Sequence, residues 1–145
     1  MRSVIQRVSK SRVIIDKAIK AEIGQGLVIL LGIEKGDNQE KADCLAKKIS
    51  NMRIFEDKEG KMNLSLIDIG GEAIVVSQFT LMANTHKGNR PSFTHAAHPD
   101  IASPLVDYFI QKMKSCGVDT QSGEFAAHML VEIHNDGPVT ILLDF

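Results

Sequence analysis

The chain has 145 residues, 43% of them hydrophobic and 24% charged, with a net charge of -1. That length supports one domain with a real core and leaves little room for two. The near-zero charge argues against a protein that wraps a long stretch of nucleic acid, since each phosphate contact draws on a cation, but leaves open a grip on a nucleic-acid end. No basic start, apolar run and small-residue cleavage site open the chain, and the run Leu27 to Ile33 is too short to cross a bilayer. A cytoplasmic location is therefore expected. Cys44 and Cys116 fall in segments of helical pattern and form no CxxC pair, which reads as free, partly buried thiols in a reducing compartment.

In chain order, Ser3 to Asp16 holds two β-branched runs separated at Ser9-Lys10-Ser11, predicting paired strands. A further strand follows, then a turn at Gly24-Gln25-Gly26 and a continuous apolar strand from Leu27 to Ile33, a pattern that suits burial on both faces. Asp37 followed by Glu40 reads as a capping box. Ala42, Leu45, Ala46, Ile49 and Met52 recur at helical spacing, predicting a first helix over Asn38 to Asn51. Glu59-Gly60 and Gly70-Gly71 mark turns, and "EAIVVSQF" predicts a central strand ending near Phe79. The stretch from Thr80 to Asp100 has no sustained period and carries Lys87, Arg90 and three histidines; so long a loop in a small domain is a place for function. A second helix follows, with Ile101, Leu105, Val106, Phe109, Ile110 and Met113 on one face and Gly117 as its stop. Pro99 and Pro104 each suit a first turn, and a start at Pro99 would leave Pro104 to disturb the second turn. A "TQSGEF" loop and the strands "MLVEIH" and "VTILLDF" close the chain, with Asn135-Asp136-Gly137 as turn chemistry between them. The outline is a single β-rich α/β domain with two main helices.

Candidate chemistry is sparse. His86, His95 and His98 cluster in or beside the long loop, but no HxxxH or Cys/His pairing supports a metal site, and no metal or other cofactor is expected. GxSxG, GxxxxGK[ST] and GxGxxG are all absent. Ser77 and Thr80 end a strand, where a hydroxyl faces a cleft or merely caps an edge; without a base, a hydroxyl is a poor nucleophile. Lys87 and Arg90, close to Phe93, fit either a phosphate grip beside a stacking ring or a solvated hairpin tip. Phe125 and Met129 fit either a pocket for a base or plain core packing.

Taken together, "SQFTL" at Ser77 to Leu81 and "NDGPVT" at Asn135 to Thr140 resemble the paired signatures of the D-aminoacyl-tRNA deacylases. "IQRV" at Ile5 to Val8, "RIFEDKEGKMNLSL", "GNRPSF" and "GEFAAHM" fall in the same order and spacing, so the resemblance spans nearly all of residues 1–145. Pro104 and His134 are departures, and neither removes a motif residue. The resemblance implies a mixed sheet curled into a barrel-like layer with the helices packed against it, and a homodimeric hydrolase without cofactor. Its partner would be the 3′ end of a tRNA carrying a D-amino acid, with no DNA and no membrane involved. The resemblance also implies that Gly137-Pro138 is a cis peptide entering the partner subunit's active site. There its carbonyls hold the substrate's α-ammonium and leave no space for an L side chain. Arg7 is expected to help fix that motif across the interface.

For the chemical step two routes stay open. Thr80 attacks as a covalent nucleophile, or the ribose hydroxyl of the terminal adenosine assists water while backbone amides around Phe79 and Thr80 stabilise the developing charge. The lack of a base in the motif favours the second, with Ser77 and Gln78 shaping the pocket, and Phe125 and Met129 against the adenine. A filter that works by clashing with L side chains cannot reject glycine, so glycyl-tRNA is an expected substrate as well. Two rivals remain. A non-catalytic module binding the tRNA 3′ end would not hydrolyse D-tyrosyl-tRNA, and a general Ser/Thr esterase would act on small esters and yield to covalent serine reagents.

Overall fold

Strand β1 (Arg2–Ile15) is continuous in the computed structural model, which describes residues 1–145. The separation expected at Ser9-Lys10-Ser11 is instead the place where β1 exchanges neighbours. Its second half pairs antiparallel with β2 (Ala18–Ile23), and its first half with β3 (Gly26–Gly32). The β1–β2 turn is Asp16-Lys17, with φ of 50° and 67°, the positive values a two-residue hairpin loop needs to match strand twist. β3 then pairs parallel with β6 (Glu72–Ser77), and β6 parallel with β7 (Asp119–Ser122). A Cβ on Gly26 would run into the backbone carbonyl of Glu72, so glycine is what lets β6 come alongside here. A two-stranded hairpin, β4 (Phe55–Glu56) and β5 (Met62–Leu64), stands apart from this sheet.

The last strand, β8 (Leu130–Asp144), lies antiparallel along the opposite edge of β1. Gln121 on β7 donates to the Glu22 carbonyl and accepts from the Glu22 amide on β2 (2.6 and 3.1 Å), drawing those two strands together. The mixed sheet is thus nearly closed into a barrel-like shape, the fold class expected. Two details differ from expectation. The first part of the "TQSGEF" loop is β7, made a strand by non-local pairing with β6. The "NDGP" segment is no turn between strands but lies within β8.

Two cores follow from the alternation of side chains along the strands. Leu27, Ile29 and Leu31 of β3 and Ala73 and Val75 of β6 join a 22-residue cluster beneath the helices. Val28, Ile74 and Val76 point the other way, with Val8, Val13, Ala21 and Ile23, into a smaller cluster of seven inside the barrel. Burial on both faces is why Leu27 to Ile33 reads as an unbroken apolar run, each fully buried side chain contributing about 1.5–3 kcal/mol.

The first helix, α1 (Gln39–Ser50), buries Ala42, Leu45, Ala46 and Ile49 as expected. Its cap differs: Asn38 accepts from the Lys41 amide (3.0 Å). Asp37 is instead drawn to the N-terminal ammonium (2.7 Å), the Glu34 amide (2.7 Å) and Lys41 Nζ (2.9 Å). The second helix, α2 (Pro99–Ser115), starts at Pro99 and runs straight through Pro104. Pro104 cannot donate to the carbonyl four residues back, and that residue, Asp100, is exposed. Ile101 is exposed too, at 59%, and Ala102 takes the inward place expected of it. Asp43 ties the helices together by accepting from Tyr108 Oη (2.9 Å) and pairing with Lys112 (3.1 Å). Both cysteines are free; Cys44 is exposed on α1, more so than expected, and Cys116 caps α2. No helix is long and apolar enough to cross a membrane.

Candidate active site

Parallel strands β3 and β6 end side by side, and the chain leaves both at the same end of the sheet. After Ser77 it turns into a 3-10 helix, Phe79–Met82, so Phe79 starts that turn rather than ending the strand. Met82 is buried below it, and the Gln78 amide donates to the Leu31 carbonyl (2.8 Å). From this point the long loop folds back on itself. Isolated bridges join Asn84 to Ser92 and Glu34 to Ala96, which returns Phe93 to the 3-10 turn. Its ring meets Phe79 edge to face, with centroids 5.1 Å apart at 72°, a favoured aromatic geometry.

Between these segments lies a cavity of about 800 Å³, with twelve hydrophobic residues among its nineteen lining residues. Ser77, Gln78, Phe79, Phe93, Phe125 and Met129, all singled out in the sequence, share its wall. Thr80 lies just off it, its hydroxyl accepting from Gln78 Nε2. Lys87 and Arg90 are exposed at the loop tip and do not line the cavity. Lys35 and Thr94, which do, carry no role in the sequence reading, although Lys35 gives a signal as a cation at the mouth of the apolar strand β3. His98, weighed there only as a metal ligand, and Ala126 and His128, present there only as part of "GEFAAHM", line it as well. Ala126 stands at φ 62°, a left-handed conformation rare for a residue with a Cβ. No carboxylate lines the cavity, and no group of three or more His, Cys, Asp or Glu could hold a metal.

The other signature lies elsewhere. In the β1–β8 pairing, Gln6 faces Thr140 and Val8 faces Asn135, so Asp136, Gly137, Pro138 and Val139 all bulge opposite Arg7. The Gly137-Pro138 peptide is cis, and both residues are exposed and outside the cavity of their own chain. Gly137 has φ 120°, and a Cβ there would approach Arg7 Nη2 to 3.0 Å. Arg7, only 5% exposed, donates to the carbonyls of Asp136 (3.2 Å) and Ile54 (2.7 Å) of its own chain. Asn135 closes the base of the bulge. With its amide oriented so that both ends are satisfied, it donates to the carbonyls of Arg7 (2.9 Å) and Val139 (3.2 Å) and accepts from Gln6 Nε2 and Thr140 Oγ1.

Fold and site together define a single-domain α/β protein whose apolar cavity opens at the carboxyl ends of parallel strands, where open α/β sheets hold their ligands. The profile of the D-Tyr-tRNA(Tyr) deacylase family matches residues 4–144. The D-aminoacyl-tRNA deacylase of Roseiflexus sp. strain RS-1 is 56% identical over 144 residues, covering 99% of this chain and 93% of that protein. Its namesake from Clostridioides difficile strain 630 is 54% identical, covering 99% and 97%. Among solved structures, the c-Myc DNA unwinding element binding protein superposes with a TM-score of 0.94 at 37% identity, covering 100% of this chain and 99% of that one. The chain belongs to the D-Tyr-tRNA(Tyr) deacylase family, hydrolases whose similar curated members carry the name D-aminoacyl-tRNA deacylase.

Proposed function

We propose that the protein hydrolyses the ester joining a D-amino acid, or glycine, to the terminal adenosine of tRNA, acting in the cytoplasm as a homodimer. In this dimer Gly137-Pro138 of each protomer completes the partner's cavity, rejecting L side chains. The observation that carries this is the separation of the two signatures. The cavity gathers Ser77, Gln78, Phe79, Phe93, Phe125 and Met129, while the exposed bulge bearing Gly137 and Pro138 lies outside it. β8 pairs only with β1, and Leu130 and Leu142 on it are 59% and 61% exposed, which suits a surface that a second copy covers. Arg7 then acts by holding the bulge in shape for the neighbouring subunit.

The terminal adenine packs against Phe125 and Met129, and Lys87 and Arg90 take the phosphates behind it. Residues 80–99 contain no Asp or Glu beside those two cations, a local excess that suits an RNA end in a chain of net charge -1. No DNA belongs to this reading, because the cations form one short cluster rather than a stripe along a groove. Chemistry runs through the substrate's own ribose hydroxyl. Thr80 is bonded to Gln78 and no carboxylate stands in the cavity, so the protein's part is to position the ester and offer backbone amides to the oxyanion.

Mixing two inactive variants tests the shared site. Gln78→Ala disables a cavity and Gly137→Val disables a motif, so exchange of subunits should restore hydrolysis of D-tyrosyl-tRNA. No recovery in verified heterodimers would refute the exchange. A 2′-deoxy terminal adenosine should abolish turnover. Near-complete loss in a folded, tRNA-binding Thr80→Ala protein would instead assign the attack to Thr80.

A further inference from the structure

The 3-10 turn Phe79–Met82 must present its backbone with sub-ångström accuracy if its amides are to meet an oxyanion, yet few hydrogen bonds hold it. Inside the turn, the Leu81 amide donates to Gln78 (3.2 Å) and the Ala83 amide to Thr80 (3.1 Å). Below it, Met82 is buried. Carbonyls at the end of so short a helix lack intrahelical donors, and one of them, Leu81, receives a donor from far away in sequence. Arg2 Nη1 donates to it at 3.1 Å. The same guanidinium grips Asp144 through Nε at 3.1 Å and Nη2 at 2.7 Å.

Arg2 and Asp144 face each other in the β1–β8 register, so the pair is set by strand alignment rather than by chance contact of long side chains. β8 is also the strand that carries Gly137 and Pro138. One side chain therefore joins the start of β1, the end of β8 and the turn of the first signature. No other side chain from outside residues 78–82 hydrogen-bonds to that turn. The job needs a planar fork that meets a carboxylate with two nitrogens and a carbonyl with the third; the point charge of lysine cannot do both.

We propose that Arg2 is a positioning residue for the reaction, holding the Phe79–Met82 turn in fixed relation to β8 without touching substrate. This rests on the deacylase reading above, in which that turn supplies the oxyanion amides. A misplaced turn weakens transition-state contacts more than ground-state binding.

The test has two arms. Arg2→Met keeps the apolar stem and removes the fork. In D-tyrosyl-tRNA hydrolysis its kcat should fall on the order of tenfold with KM nearly unchanged, and Arg2→Lys should recover only part of the loss. In hydrogen exchange without substrate, the Leu81 and Ala83 amides should exchange faster in Arg2→Met and, more mildly, in Asp144→Asn, with Ile29 and Val75 unchanged. Unaltered exchange at Leu81 and Ala83, or an unaltered kcat, would overturn the proposal and leave Arg2 as a surface ion pair. The exchange arm stands apart from activity. A wild-type protein that fails to deacylate would count against the proposed function, while exchange still decides whether Arg2 holds the turn.

Discussion

Replacing Arg7 by methionine should destabilise the protein strongly for a single strand residue. The side chain is 5% exposed, and its guanidinium serves two backbone carbonyls, Ile54 at 2.7 Å and Asp136 at 3.2 Å. The Ile54 bond is buried, so removing a charged donor strands that carbonyl at about 1.5–3 kcal/mol. The Asp136 carbonyl is partly open to water and adds about 1 kcal/mol. The carboxylate of Asp136, 3.6 Å from Nε and 51% exposed, is rehydrated and adds little. Methionine recovers some stability because no guanidinium need be desolvated. The net loss is about 3 kcal/mol, which at about 2–4 °C per kcal/mol lowers Tm by roughly 6–12 °C. Arg7→Lys should fall between, since one ammonium cannot reach both carbonyls. Thermal melts backed by urea titrations measure this. An Arg7→Met protein as stable as wild type, or a lysine variant equal to arginine, would refute the reasoning.

Ser3 is fully buried and its hydroxyl has no hydrogen-bond partner, so Ser3→Ala should raise stability by about 1 kcal/mol in urea titration; a loss would show that the hydroxyl is satisfied. Each of Lys87→Ala and Arg90→Ala should weaken tRNA binding and reduce the slope of log K against log salt by about 0.7 if it pairs with one phosphate of a single strand; an unchanged slope would return that residue to the solvated tip. Acid should expose Asp37. Burial pushes its carboxyl up, but hydrogen bonds from the N-terminal ammonium, the Glu34 amide and Lys41 more than offset this, holding it below the ordinary 3.8. Its stabilisation is therefore complete above the unfolded value and drains away as pH falls from about 4 through the folded value. Asp37→Asn should flatten stability against pH in that acid range, and an equally steep slope would show that other carboxylates carry it.

Where the sequence was legible, local pattern decided the structure. The helical periods of Ala42 to Ile49 and Leu105 to Met113 survive because each helix has one face to bury, and the run at Leu27 survives because both faces of β3 are covered. Expectation failed where a distant partner decides. β7 is a strand only because β6 lies beside it, and β8 stays continuous through "NDGP" because Arg7 and Asn135 hold the ends of a bulge that local turn chemistry would have bent away. Asp37 reads as a cap because nothing nearby in sequence announces the N-terminal ammonium that claims it. The cavity was half legible: the "SQF" and "GEFAAHM" residues meet there. Thr94 and His98 join through the loop's return over the turn, Lys35 joins from the end of β3, and Lys87 and Arg90 are carried out to the loop tip.

The proposed selection is by configuration: at a shared cavity a side chain in the L position clashes with Gly137-Pro138, while a D side chain, or none, does not. One preparation of the protein, given D-tyrosyl-, L-tyrosyl- and glycyl-tRNA, tests it most directly. Rapid release from the D and glycyl esters with the L ester left intact is the expected result. Hydrolysis of the L ester at the D rate, or glycyl-tRNA as resistant as the L ester, would contradict it.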